Sequence, residues 1–197
     1  MALMVFGIIA VLYIIFQIYT SVTTTKSETQ IYKVIESRKE FEIRYYPAAT
    51  MALVNSTVKS YKELGNSGFR KLAAYIFGAN KEKKKIAMTS PVHMVISDSN
   101  STMSFVMPTN YTRDNLPIPI NSEITIHTSV DEYVAAITFH GFASEEKIRK
   151  YTDILTKALK ENHLASYGPY RYLGYNPPYQ LFGRRNEIIV AVKWQNK

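Results

Sequence analysis

From Ala2 to Val22 the chain carries no charged side chain, and Leu, Ile, Val, Phe and Tyr dominate the run. Few conformations suit such a segment, because about 20 apolar residues at helical rise reach roughly 30 Å, the thickness of a bilayer's hydrocarbon core. The run predicts a membrane-spanning helix over residues 2–22. A cleaved signal peptide is the competing reading. However, Met1 to Phe6 holds no Lys or Arg, and Thr23-Thr24-Thr25 is a poor cleavage site. The expectation is a retained single-pass anchor (1–22), a polar linker (23–30) and one domain (31–197). The side of the membrane stays open. Lys26, Lys33, Arg38 and Lys39 follow the span and favour a cytoplasmic domain, yet long domains translocate despite such charge. Sequons at Asn55, Asn100 and Asn110 arise too readily by chance to decide it.

The net charge is +8 and all of it lies after residue 25, a balance that favours anionic partners. The densest run, Lys81-Glu82-Lys83-Lys84-Lys85, reads as a solvated loop. No zinc-finger spacing, RNP signature or long basic helix is present, so no nucleic-acid partner is expected. The chain has no cysteine, which excludes disulfides, thiolate metal sites and cysteine nucleophiles.

Beyond residue 30 the periodicities alternate between strand and helix. Phe41, Ile43 and Tyr45 share one strand face, Glu42, Arg44 and Tyr46 the other, and Pro47 ends the run. A strand over about residues 51–58 follows. Phe69, Leu72, Ala73, Ile76 and Phe77 then make a helical stripe, with Asn66-Ser67-Gly68 as its starting turn and Gly78 as its stop. Strands are expected over 85–97, interrupted by Pro91, and over 102–107, before a proline-bearing loop at 108–123. The order then repeats: strands at 123–130 and 132–140, a helix after Ser144 through Ile148, Tyr151, Leu155 and Leu159, and strands at 171–175 and 187–194. The halves align at an offset of roughly 86 residues, 51–58 on 135–142 and Thr89-Ser90-Pro91 on Tyr175-Asn176-Pro177. Duplicated strand–helix–strand–strand units predict an α+β fold, an antiparallel sheet carrying two helices, with a groove between the halves as a favoured ligand site.

Catalytic signatures are missing. His93, His127, His140 and His163 form no close ligand pair, and each has an ordinary reading as a structural or exposed residue. There is no Gly-x-Ser-x-Gly, phosphate loop or dinucleotide fingerprint. Glu145-Glu146 and Asp131-Glu132 flank elements and read as solvated. No acid–base or nucleophilic pair is named, so a binding protein is expected rather than an enzyme. Tyrosine is abundant, with 15 residues. The cluster Tyr167, Tyr170, Tyr172, Tyr175 and Tyr179 suits either the wall of a groove for a planar ligand or ordinary strand-edge packing.

Ile86-Ala87-Met88-Thr89-Ser90-Pro91-Val92 resembles the Met-Thr-Ala/Ser-Pro-Val core of the SOUL haem-binding family. Three further stretches resemble that family in the same order: Phe41 to Pro47, Gly68 to Leu72 with Tyr75 to Gly78, and Gly174 to Pro178 through Glu187. Phe105 to Pro108 fits the strand between them, and the resemblance covers about residues 31–195. It implies a twisted, barrel-like antiparallel sheet with two flanking helices. It also implies non-covalent haem or another tetrapyrrole in an apolar groove beside the first helix of the domain. Carried onto this chain, Phe69, Leu72, Ala73 and Ile76 become wall residues, and Arg70 and Lys71, with Arg44 as a lesser candidate, face the propionates. Some family members have a histidine, proposed as axial iron ligand, where this chain has Tyr45. A tyrosinate ligates ferric haem elsewhere, so Tyr45 is either the iron ligand or a buried core ring. The resulting expectation is a membrane-tethered haem or tetrapyrrole carrier or buffer, without turnover. The alternative is a metal-independent effector-binding module.

Overall fold

A strand with apolar residues at alternate positions offers one face to a helix, and the second face needs separate cover. The computed structural model describes residues 2–97 and 100–195. Its elements are α1 (Ala2–Lys26), β1 (Lys33–Ser37), β2 (Glu42–Tyr46), β3 (Thr50–Ser56), α2 (Tyr61–Ile76), β4 (Val92–Val95), β5 (Ser101–Val106), β6 (Ile124–Thr128), β7 (Glu132–His140), α3 (Glu145–Glu161), β8 (Ser166–Gly174) and β9 (Arg185–Val192). The strands form one antiparallel sheet ordered β1-β2-β7-β9-β8-β4-β5-β3-β6. No ladder among the described residues joins β1 to β6. The sheet is therefore open, where a barrel-like sheet was expected.

The order contains two equivalent units, β2-β3-α2-β4-β5 and β6-β7-α3-β8-β9. Each unit's first strand pairs with the second strand of the other unit, β2 on β7 and β6 on β3. The units meet where β4 pairs with β8. The duplication stands, but one detail of the alignment does not. Thr89-Ser90-Pro91 precedes β4, whereas Tyr175-Asn176-Pro177 follows β8. Matching prolines fixed no register there.

The principal core lies between the sheet and the helices. It takes Phe41 from just before β2, Ile43 from β2, Phe139 from β7, Leu72 and Ile76 from α2, and Leu155 and Leu159 from α3. Full burial of a Leu or Ile contributes about 1.5–3 kcal/mol. Where the starts of the two helices meet, the halves are in contact. Tyr61 packs edge-on against Tyr172, and Phe139 stacks on Tyr151 at 4.5 Å. The Glu145 carboxylate that opens α3 accepts from the backbone N–H groups of Tyr61 and Lys62 at 2.6 and 3.3 Å, joining the two helix starts. The seam is packed there.

Helix α2 begins earlier than its apolar stripe implied. Ser60 is the N-cap and accepts from Glu63 N, so Asn66-Ser67-Gly68 lies inside the helix rather than at its start. Gly68 is there because α2 presses closely on the sheet: a Cβ at 68 would stand 3.2 Å from Met103 Cβ. The true buried line runs Leu64, Gly68, Leu72, Tyr75 and Ile76, leaving Phe69 at its margin and Phe77 exposed. A glycine hides such a line from any hydrophobic pattern.

At the amino end, α1 continues to Lys26, beyond the expected end at Val22. Residues 28–30 are tied to the domain and do not hang free. Gln30 N and Ser90 O bond at 2.8 Å, Ser90 N and Glu28 O at 2.9 Å.

Candidate functional site

Three turns of chain surround the outer face of α2. Tyr75 is fully buried, and its hydroxyl donates to Pro117 O at 2.8 Å, fastening the 108–123 loop to the helix. Burial and the nearby Glu82 push that phenol up to about 12, so it stays protonated and donates. Buried Asn80 shapes the turn behind α2, donating to Tyr75 O and Lys84 O and accepting from Lys84 N. Lys81 N bonds Ile118 O at 2.9 Å, and Ile118 N bonds the Glu82 carboxylate at 3.0 Å. Gly78, at φ 111, makes the reversal that lets this turn fold back.

Between α2, this loop and the start of β6 lies an open groove of about 500 Å3, lined by Ser67, Arg70, Lys71, Ala74, Tyr75, Ala79, Ile120, Asn121 and Ile124. Its volume falls in the range of about 300–1,000 Å3 usual for small-molecule sites. Ala74, Ile120 and Ile124 supply apolar lining, and Arg70 and Lys71 supply two cations. Arg70 Nε donates to Asn66 O at 3.0 Å, which aims the side chain along the helix. Lys71 Nζ pairs with the Glu123 carboxylate at 2.9 Å and holds it below its usual range.

The remaining predicted positions lie elsewhere. Leu72, Ala73 and Ile76 face the core beneath α2, and Phe69 packs edge-on against Phe105. Arg44 lies on β2, towards the other end of the sheet order, on the face turned away from the helices. That face is buried too: Tyr46, Val134, Ala136, Leu173 and Ile189 form a second cluster on it, with Tyr32 and Tyr175 packed against them. At its centre the Glu187 carboxylate, fully buried, accepts from Arg44 at 2.9 Å, Arg185 at 2.6 Å, Thr138 at 3.1 Å and Tyr175 at 2.8 Å. Burial alone would lower the Arg44 guanidinium and raise the Glu187 carboxyl. Their mutual bond and charge outweigh it, raising the first and lowering the second. Arg44 is thus spent on an internal ion pair.

Tyr45 is on the opposite face of β2 from Arg44, half-buried at the rim, with its ring 5.2 Å from that of Tyr133. Its hydroxyl donates to the Asp131 carboxylate at 3.3 Å. Partial burial, then the Asp131 charge and bond, push the phenol above its ordinary value. A tyrosinate is disfavoured there, and the ring is not a core ring either.

The family model for SOUL heme-binding protein matches residues 27–191, most of the chain. The chain belongs to the SOUL heme-binding protein family. Human heme-binding protein 2 is 30% identical to it over 161 residues, covering 78% of each chain. Heme-binding protein 1 of Xenopus laevis is 26% identical over 155 residues, covering 75% of this chain and 81% of the relative. Among solved structures, the EcmrR C-terminal domain superposes with a TM-score of 0.60 at 11% identity, over 84% of this chain and 99% of that one. A hydrolase from Listeria innocua superposes at 0.57 and 8% identity, over 81% and 94%. At such identities the likeness shows the fold alone.

Within this SOUL domain, Arg70 and Lys71 are the predicted residues that reach the groove. Sequence reasoning missed Ser67, Ala74, Ala79, Ile120, Asn121 and Ile124. Ala74 and Ile120 carry one available signal: both are apolar at positions that neither stripe nor strand face accounts for. Their partnership is non-local and left no trace in spacing. His93, read as structural or exposed, is buried. Its Nε2 donates to Gln30 Oε1 at 2.7 Å, and burial, with Arg171 second, lowers its pKa to about 3.

Proposed function

We propose that this SOUL domain is a membrane-tethered haem- or tetrapyrrole-binding protein, acting as a carrier or buffer without turnover. One observation carries the reading: an open groove of about 500 Å3 lined by Arg70 and Lys71 together with apolar Ala74, Ile120 and Ile124. The macrocycle face would lie on the apolar side, and its two carboxylates would meet the two cations in charge-assisted bonds. A bound tetrapyrrole supplies the flat hydrophobic body, and the iron if it is haem. The names of the relatives support the ligand class, and α1, with Val5–Thr24 long and apolar enough to span a bilayer, supports the tether.

The donor set favours one refinement. None of the residues lining the groove is a His or Met, and Tyr75 is protonated and bonded to Pro117. Tyr45 lies on another part of the sheet. Binding through the ring face and the carboxylates, without axial ligation, is the mode this geometry supports. It also keeps the metal-independent effector-binding alternative alive on the same groove.

The test is titration of the full chain, in lipid nanodiscs, with hemin and with metal-free protoporphyrin. Saturable, roughly equimolar binding of both is expected. Arg70→Glu with Lys71→Glu should weaken each by tenfold or more, since one charge-assisted bond is worth about 1.5 kcal/mol or more. Binding untouched by that double substitution would remove the groove from consideration. A preference for hemin with a ligand-field signature lost in Tyr45→Phe would reinstate iron ligation. Equal affinity for unrelated flat amphipathic molecules would favour the effector module.

A further inference from the structure

The β8–β9 loop, residues 175–184, touches α1 at a place where a membrane helix should touch only lipid. Gln17 is the polar amide in the uncharged part of α1, and both ends of it are used: Nε2 donates to Tyr179 O at 3.1 Å, and Oε1 accepts from Leu181 N at 3.0 Å. Gln17 and Thr20 are buried in consequence, while the large side chains from Val5 to Ile15 stand exposed. Phe16 packs beside Tyr179, ring centres 6.0 Å apart.

The apolar span runs Val5–Thr24. Gln17 lies seven residues before its end, about 10 Å along the axis at 1.5 Å per residue. A loop bonded at that level cannot remain clear of the bilayer if the whole span is embedded. The loop is equipped for it. From Tyr175 to Gly183 it has no charged residue. It displays Tyr179, Leu181 and Phe182 outward, 55%, 37% and 72% exposed, beside Phe142 at 50%. Backbone polar groups entering lipid must be satisfied within the protein. Here the Arg184 guanidinium sits behind the loop and donates to Pro177 O at 2.6 Å, Gln180 O at 2.7 Å and Asn176 O at 3.4 Å. Gln180 Nε2 donates to Phe182 O at 2.8 Å. Phe142 covers the guanidinium at 4.6 Å. Arg184 Nε and Gln180 Oε1 are the buried side-chain atoms of the cluster left without a bond.

We propose that this loop is a second membrane contact: Tyr179, Leu181 and Phe182 insert into the interfacial layer of the bilayer, seated on the anchor through Gln17. The inference rests on α1 being a membrane anchor, and it fixes which face of the domain lies against the lipid.

The absence of cysteine makes the test direct. Full-length variants Phe182→Cys, Leu12→Cys and Val130→Cys, each carrying a polarity-sensitive fluorophore, are placed in phosphatidylcholine nanodiscs with and without brominated lipid. The expected result is quenching at 182 comparable to that at 12 and none at 130. Adding Gln17→Leu should diminish quenching at 182 and leave it unchanged at 12. Quenching at 12 without quenching at 182 overturns the loop contact and spares the anchor. So does a blue-shifted but unquenched label at 182, which would mark a protein partner. No quenching at 12 overturns anchor and loop together, and unaltered quenching at 182 with Gln17→Leu overturns the seating.

Discussion

Glu187 has no access to water and is held by two arginines, so its charge is worth keeping only while both partners stay in place. Glu187→Gln removes the buried counter-ion of Arg44 and leaves it only the partly exposed Glu42 carboxylate at 2.7 Å; breaking a buried pair costs about 3–5 kcal/mol, and Glu42 should hold the loss to the lower end. Urea denaturation should show that loss, whereas replacing Arg44 and Glu187 together by apolar residues of similar size should cost less. Because the folded carboxyl lies below its ordinary range, the network's stabilisation is present above the unfolded pKa, about 4.3, and disappears as acid titrates the folded group. His93 adds a second acid sensitivity at higher pH. Burial lowers its folded pKa to about 3 from the ordinary 6.5, so below 6.5 the unfolded chain binds a proton that the folded chain refuses. Stability should therefore fall as pH drops from 6.5 towards 3, at up to about 1.4 kcal/mol per pH unit. Chemical denaturation of a His93→Gln variant across that window should give a flatter profile.

Two glycines in α2 separate intrinsic helix preference from packing. Glycine in a helix interior costs about 1 kcal/mol relative to alanine. At Gly65 an added Cβ meets only Met94 Cε at 3.9 Å, ordinary contact. Gly65→Ala should recover about 1 kcal/mol. At Gly68 the same methyl would meet Met103 at 3.2 Å and Val54 at 3.4 Å. Gly68→Ala should then yield no gain, and Gly68→Val should destabilise; thermal melts of the three variants decide it. The position matters beyond stability, because α2 carries Arg70 and Lys71. A helix pushed off β5 would shift both cations relative to Ile120 and Ile124.

For the whole molecule, the groove and the anchor contact lie on different elements. The groove lies between α2, the 108–123 loop and the start of β6, whereas α1 leans on the β8–β9 loop. On the proposed function, ligand binding and membrane attachment would thus be carried by separate surfaces of the domain. On the proposed function, Lys71 must leave Glu123 to meet a ligand carboxylate. Exposed pairs of this kind are weak. Glu123→Gln should accordingly tighten hemin binding severalfold, read in the same nanodisc titration, and leave the melting profile nearly unchanged.

Local properties were legible in the chain. The 20-residue apolar span, the alternation of β7, the Ser144 cap and the Gly78 stop each depend on residues near one another, so spacing reveals them. The SOUL motifs likewise announced the family. What spacing did not carry was the partner of each surface. Arg44 alternates like a solvent-facing residue, yet the buried Glu187 lies 143 positions away in the chain. Leu72 and Ile76 have the same character whether they wall a groove or fill a core, and only the sheet beneath them chose the core. The seam between the halves closed at the helix starts because aromatic rings from both units met there, and the groove opened where a proline-bearing loop stopped short of α2. Pairings across such distances are made by the folded chain as a whole, since burial and charge compensation act through space rather than along the sequence.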